Sequence, residues 1–301
     1  MGAADLVPGV SGGTVALITG VYKELLKSIN EFSWEKIKLI KNEGFKKVWQ
    51  KLNGAFLLSI FTGIISSILL LSRALEWLII NEPIGLWSFF LGLLIASILF
   101  LIKTELKYNL KSLFCLSIGF MVSYIITQLN SITNEAPIWY IFIAGFIGIS
   151  AMILPGLSGA YILFIMGVYE KILSNIRQAQ DLIFTFNQEQ FIEVASILSV
   201  FVLGIFTGVK VFSRLLSWLL SRYPERTFAF LIGLMIGALG KVWPWQNQLE
   251  KLNEDASNFN TAVFPQNFDG ASPEVEKALI LMIFGFALLF VIEKTKVLLK
   301  K

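Results

Sequence analysis

The chain contains no histidine and a single cysteine, Cys115. A disulfide within the chain is therefore excluded. Zinc sites built from cysteine and histidine go with it, as do Ser-His-Asp and Cys-His catalysis and a lipid phosphatase with a histidine nucleophile. Charge is scarce as well. Asp, Glu, Lys and Arg make up 15% of the residues, against about 25% in soluble domains. Apolar residues make up 55% of the chain, and the mean hydropathy is +0.71. They gather in runs such as 55–71, 84–102 and 279–292, long enough or nearly so to cross a bilayer. These features indicate a polytopic membrane protein. The first lysine is Lys23, so no charged region precedes the apolar start and no cleaved signal is expected. Cys115 lies in an apolar run and reads as core packing. No cofactor, no metal and no nucleic-acid partner is expected.

One short pattern occurs twice. Pro8-Gly9-Val10-Ser11-Gly12-Gly13-Thr14 is followed by Gly20-Val21-Tyr22, and Pro155-Gly156-Leu157-Ser158-Gly159-Ala160-Tyr161 by Gly167-Val168-Tyr169, at a constant offset of 147. Both copies lie in apolar surroundings, where Pro-Gly-x-Ser-Gly must break a helix. The likeness extends further. Ile60-Phe61-Thr62-Gly63 matches Ile205-Phe206-Thr207-Gly208, Ser72-Arg73 matches Ser213-Arg214, Pro83 matches Pro224 and Gly92-Leu93 matches Gly233-Leu234. Corresponding broken helices in two halves point to a transporter binding site.

The pattern predicts an all-α fold of two repeats, each a broken segment followed by three spans. Repeat 1 covers 1–129, with a broken or re-entrant segment at 2–20, a basic amphipathic stretch at 33–50 and spans at 52–72, 84–102 and 112–129. Repeat 2 covers 138–293, with a re-entrant hairpin at 138–168 and spans at 191–212, 228–243 and 277–293. Residues 241–276 read as a partly ordered external polar loop, and 294–301 as a cytoplasmic basic tail. Three crossings per repeat is an odd number, so re-entrant hairpins would make the repeats inverted. Charge agrees. With 21–51 in the cytoplasm, the cytoplasmic pieces hold eight, three, four and four basic residues, 19 of the 25 in the chain, as the positive-inside rule expects. The stretch at 33–50 suits the inner leaflet, held by its Trp residues and by anionic lipid, although a solvated charged helix would share its composition.

Each motif has a physical consequence. The prolines Pro8 and Pro155 end a helix, Gly9 and Gly156 allow a sharp turn, and Ser11, Thr14 or Ser158 can cap the helix that follows. The first N–H groups of that helix lack backbone partners, and in a membrane they need one. An anion is a natural partner. Ser11, Gly12, Gly13 and Thr14, with Ser158, Gly159 and Ala160, are thus candidate phosphate-binding residues. On that reading, added bulk at Gly12 and Gly159 matters more than loss of the Ser11 and Ser158 hydroxyls. The competing reading is a packing kink, where small residues only let helices approach.

Arg73 and Arg214 occupy matched positions, one toward each face in the inverted topology, where their planar forks could meet a phosphate. Snorkelling to the interface is the alternative. Asp5 precedes the first motif and is the candidate for coupling to a proton or sodium gradient. Only seven residues precede Pro8, whereas 17 apolar residues, 138–154, precede Pro155. The first half of the first hairpin is therefore expected to be truncated or to begin upstream. Glu24, Glu170 and Lys171 read as interfacial charges, and Tyr22 and Tyr169 as interfacial aromatics.

Gly2-Ala3-Ala4-Asp5 with Pro-Gly-Val-Ser-Gly-Gly-Thr, and Pro-Gly-Leu-Ser-Gly later, resembles the bacterial polyprenyl-phosphate transporter family of the PopT type, formerly a domain of unknown function. The resemblance implies a plasma-membrane translocase that returns undecaprenyl phosphate from the outer to the cytoplasmic leaflet, recycling the carrier for envelope polymers. It also implies two re-entrant hairpins in inverted repeats. Its short start departs from the family pattern. Rival readings are a carrier of another anion, a membrane enzyme acting on a lipid phosphate, and a scaffolding protein.

Overall fold

Several helix starts in this chain are set by Gly, Asn and Pro, such as Gly44, Asn53, Pro83, Asn187 and Pro224. The computed structural model describes residues 1–2, 11–31, 36, 38, 43–128, 137–182, 187–248, 260–270 and 272–299. Its helices, numbered along the described residues, are α1 (Gly12–Ile18), α2 (Tyr22–Glu31), α3 (Phe45–Lys51), α4 (Gly54–Asn81), α5 (Pro83–Glu105), α6 (Leu110–Gln128), α7 (Ile138–Ile153), α8 (Gly159–Ile165), α9 (Tyr169–Asp181), α10 (Gln188–Arg222), α11 (Pro224–Gly237) and α12 (Val275–Leu299). Three of them, Pro83–Glu105, Leu110–Thr127 and Gln188–Arg222, are long and apolar enough to cross a membrane alone, and α3 with the start of α4 forms a further candidate bent by 72°. The molecule is an all-α polytopic membrane protein apart from one small β ribbon.

Helices α4 and α5 meet at a single residue, Glu82, with Pro83 opening α5. Tyr223 and Pro224 repeat this corner between α10 and α11. Proline at the first helical position has no N–H to lose and a suitable φ, and it cannot continue the helix before it. The two corner residues share their backbone angles, φ −136° and ψ 45° at Glu82, φ −136° and ψ 56° at Tyr223. The expected first spans of the repeats end at 72 and 212. The helices run on to Asn81 and Arg222 because nothing before the prolines breaks them. Arg73 and Arg214 consequently lie within helices.

Packing is dominated by three pairs, α6 with α11, α7 with α10 and α5 with α12. Glycines set their closeness and reveal their direction. Gly233 abuts the Leu116 carbonyl and Gly237 the Phe120 carbonyl. Four residues along α11 match four along α6 in the same sense, so these helices run parallel. Gly204 and Gly208 meet the Phe142 and Phe146 carbonyls in the same way, so α7 and α10 are parallel. In α5 and α12, Gly85 faces Lys277 and Leu281 while Gly285 faces Phe89 and Leu93, again parallel. The contacts also repeat. Gly92 meets the Met282 carbonyl and Gly285 that of Phe89; Gly233 meets the Leu116 carbonyl and Gly119 that of Phe230. Gly92 and Gly233, like Phe89 and Phe230, are 141 residues apart; Leu116 and Met282, like Gly119 and Gly285, are 166 apart. Such small-residue contacts suit association in lipid, where backbones must approach closely.

Helix α11 lies at the centre, with Leu231, Ile232, Leu234 and Met235 fully buried. Large apolar side chains such as Phe61, Phe114, Phe206 and Ile283 are exposed on the outer helices, a face for lipid. In the basic stretch at 33–50, the described part ends in α3, which buries Val48 and stacks Phe45 on Trp49 with ring centroids 5.5 Å apart. The described residues of 241–276 form a packed cap. Strands β1 (Gln246–Gln248) and β2 (Asn260–Ala262) pair antiparallel. The Trp243 and Trp245 indoles donate to the Val263 and Pro273 carbonyls, each at 2.7 Å, and Trp245 packs with Ile84 and Ala278 at the starts of α5 and α12.

Candidate functional site

The second motif breaks a helix as its residues require. Helix α7 stops at Ile153, Leu154 turns extended, and Gly156 takes φ +84°. Helix α8 then starts at Gly159, and Gly167 at φ +68° turns the chain into α9. In the first copy Ser11 is extended at φ −119° and caps α1, its hydroxyl accepting the Gly13 N–H at 3.1 Å. Gly20, the counterpart of Gly167, has φ +73° and leads into α2. Asp5, Pro8 and Gly9 lie outside the described residues.

The two motif tips meet. The Ser11 hydroxyl lies 3.2 Å from the Met152 carbonyl and 3.1 Å from that of Leu154, and donates toward both. The Tyr22 hydroxyl donates to the Ile153 carbonyl at 2.9 Å. In return the Gly156 N–H donates to the Thr14 hydroxyl at 3.0 Å. Three consecutive carbonyls at the broken end of α7 are thus taken up by hydroxyls of the other copy, the role a C-terminal cap performs elsewhere. Ser11, Thr14 and Tyr22 are all buried. In the low-dielectric interior such a network is held strongly and is costly to leave incomplete.

The tips differ in what they leave open. At the first, the Gly13 N–H is held by the Ser11 side chain and the Thr14 N–H by the Ser11 carbonyl at 3.0 Å. At the second, the Tyr161 N–H reaches the Ser158 hydroxyl at 3.4 Å and the Ile162 N–H the Ser158 carbonyl at 3.1 Å. The Gly159 and Ala160 N–H groups have no acceptor among the described residues, and Ala160 is exposed. A Cβ at Gly159 would lie 2.6 Å from the Gly148 carbonyl oxygen, so bulk there acts on the contact with α7. At Gly156 it would lie 2.7 Å from the Met235 Cα, tying the tip to the last turn of α11.

Arg73 is within α4, its side chain outside the described part. Arg214 is exposed on α10 and makes no hydrogen bond to either tip among the described residues. Its neighbours form a clamp on α2. Lys210 donates to the Ile29 carbonyl at 3.0 Å, and the buried Ser213 hydroxyl donates to the Asn30 side chain at 2.7 Å. A cation does approach the second tip, and it is Lys241. Its ammonium lies 4.6 Å from the centre of the Tyr161 ring, whose hydroxyl donates to the Thr127 carbonyl at 3.1 Å. The sequence held a signal for it, since Lys241 is the one basic residue between Arg226 and Lys251 and closes a long apolar run. Among the described residues, no three of His, Cys, Asp or Glu gather as a metal site.

Residues 1–260 match the model of a family described as undecaprenyl phosphate translocase-like. A Vibrio cholerae protein (serotype O1, strain ATCC 39315 / El Tor Inaba N16961) named polyprenyl-phosphate transporter is 38% identical over 301 residues, covering 98% of this chain and 93% of its own. A Staphylococcus aureus protein (strain NCTC 8325 / PS 47) of the same name is 30% identical over 258 residues, covering 81% of this chain and 83% of its own. No solved structure matches the chain.

Proposed function

Since the chain belongs to the undecaprenyl phosphate translocase-like family, we propose that it carries polyprenyl phosphate across the bacterial plasma membrane, from the outer to the cytoplasmic leaflet. It is a multi-pass membrane protein of a family whose relatives are named as transporters. The observation that carries the reading is the interlocking of two Pro-Gly-x-Ser-Gly tips at the break in α7. An irregular backbone at membrane depth is tolerated where it is buried or lines a polar cavity, and broken helices meeting there are how carriers build anion sites.

Inverted repeats are supported by the helix directions. Helices α5 and α6 are consecutive and joined by four residues, 106–109, so as crossing helices they run oppositely. Parallel packing of α5 with α12 and of α6 with α11 then makes α5 and α11 opposite. These are the matched second spans, with Pro83 and Pro224 at their starts. The same directions favour α7 and α8 as a re-entrant hairpin, because one extra full crossing would reverse α11 and α12. With the basic residues inside, the boundaries 1–129 and 138–293 define the two repeats.

In this reading the phosphate meets the second tip at Ser158, Gly159 and Ala160, whose N–H groups include two without acceptors among the described residues. The Ser11, Gly12, Gly13 and Thr14 tip holds that backbone in shape. Arg73 and Arg214 receive the headgroup near the two faces, and the prenyl chain stays in lipid. Anionic inner-leaflet lipid holds the basic stretch, and Asp5 is the candidate for gradient coupling. No bond of the lipid changes. The test is headgroup accessibility of polyprenyl phosphate in liposomes holding the purified protein. The phosphate should cross and be recovered unaltered, while the neutral prenol gains nothing. A chemically altered lipid would establish an enzyme instead.

A further inference from the structure

We propose that Lys241 is a further outer-side phosphate-binding group of this carrier, in addition to Arg73, held by the Tyr161 ring so that an anionic lipid headgroup meets its ammonium on the way to the second tip. The proposal rests on the transport reading above and adds a residue to its site. Gly156 packs on Met235 in the last turn of α11. Lys241 follows six residues later, past the end of that helix, in the 3-10 turn Leu239–Val242. In the inverted topology that direction leads outward. Thr127, near the outer end of the parallel helix α6, is tied to the same ring.

The ammonium is held without being neutralised. Its main chain is fixed at both ends, by the Lys241 N–H to the Ala238 carbonyl at 3.0 Å and by the Gln246 side-chain amide to the Lys241 carbonyl at 3.1 Å. Behind it the two tryptophans anchor the cap. The Tyr161 ring, locked through its hydroxyl, offers its face to the cation, and such a contact leaves the three N–H donors usable. None of the ion pairs among the described residues includes Lys241. Lys241 is partly buried, so water screens it less than a surface lysine, and its attraction for a phosphate is correspondingly stronger. One residue from the ring, Ala160 is exposed, and its N–H has no acceptor among the described residues.

The test is binding of a soluble short-chain prenyl phosphate, farnesyl phosphate, to purified folded protein, with farnesol as the neutral control. Lys241→Gln should weaken farnesyl phosphate binding about tenfold or more and leave farnesol binding unchanged. Lys241→Arg should restore most of the affinity, since it keeps the charge and the ring contact. Tyr161→Leu should weaken binding less than Lys241→Gln does. Added salt should reduce the wild-type affinity more than that of Lys241→Gln, a response that a purely structural lysine does not produce. If Lys241→Gln is monodisperse and binds farnesyl phosphate like wild type, the role of Lys241 is overturned while the carrier reading stands. If wild type binds farnesol as well as farnesyl phosphate, the anion site itself is wrong, and Lys241 falls with it.

Discussion

Replacing Thr14 by valine removes one hydroxyl and little else, and it tests whether the two motif tips support each other. The Thr14 hydroxyl accepts the Gly156 N–H at 3.0 Å, and both groups are buried. Valine nearly conserves the volume, so no cavity opens. The N–H is left without a partner, in a backbone that cannot rotate away because Gly156 is held at φ +84° against Met235. An orphaned buried donor costs about 1–3 kcal/mol, a factor of roughly 5–150 in the ratio of folded to unfolded protein. Thr14→Ser keeps the hydroxyl and should lose less. Tyr22→Phe strips the Ile153 carbonyl of its partner and should cost about as much. Because all these groups converge on one broken helix end, the Thr14→Val and Tyr22→Phe effects should not simply add, with a coupling of about 0.5 kcal/mol or more. Tryptophan-detected unfolding in detergent reads the wild type, the three single variants and the Thr14→Val/Tyr22→Phe double variant. If Thr14→Val unfolds with wild type and Thr14→Ser does not differ, the bond between the tips contributes nothing and the mutual-capping argument fails.

Alanine at Gly92 and at Gly233 should each destabilise by about 1–3 kcal/mol or more, since both would drive a Cβ into a carbonyl of the partner helix; fluorescence-detected size exclusion measures folded yield, and normal yield from either variant contradicts the repeated packing. In a Cys115→Ser background, Gln180→Cys should label only from outside and Lys47→Cys only from the cytoplasm; cytoplasmic labelling at position 180 refutes the re-entrant hairpin. Arg73→Ala and Arg214→Ala should each slow transport roughly 10- to 100-fold while leaving unfolding temperature nearly unchanged. Lysine at either position should rescue only in part, and wild-type rates in both alanine variants leave only snorkelling for the arginines.

The fold was legible where local chemistry alone decides it. Pro83 and Pro224 marked two corners that share their backbone angles. The Gly20 and Gly167 signatures marked two turns at positive φ. The spans expected at 52–72 and 191–212 lie in helices that run on to Asn81 and Arg222, since an arginine does not break a helix and each continues to the next proline corner. The ribbon at 246–248 and 260–262 was illegible because its strands are polar and short, and they are fixed by tryptophans whose carbonyl partners lie at Val263 and Pro273.

At the site, the sequence singled out the two motifs as one anion cradle and did not show that they cap each other. Ser11 and Thr14 were read as groups that face an anion, because a lone motif shows its own cap and nothing of what lies opposite. Across the gap stands the end of α7, whose carbonyls need donors as much as the helix starts need acceptors. The hydroxyls of the first copy serve those carbonyls. This changes how substitutions at the tips are read. Bulk at Gly159 runs into the Gly148 carbonyl, so a defect there reports on the contact with α7 before it reports on any phosphate. The hydroxyl of Ser11, expected to matter mildly as a cap, also donates its single proton toward two carbonyls of the opposite tip. Removing it should disturb the second hairpin from 141 or more residues away in sequence. What distinguishes anion binding from packing must then be a charge that packing does not need, and beside these tips that charge is on Lys241.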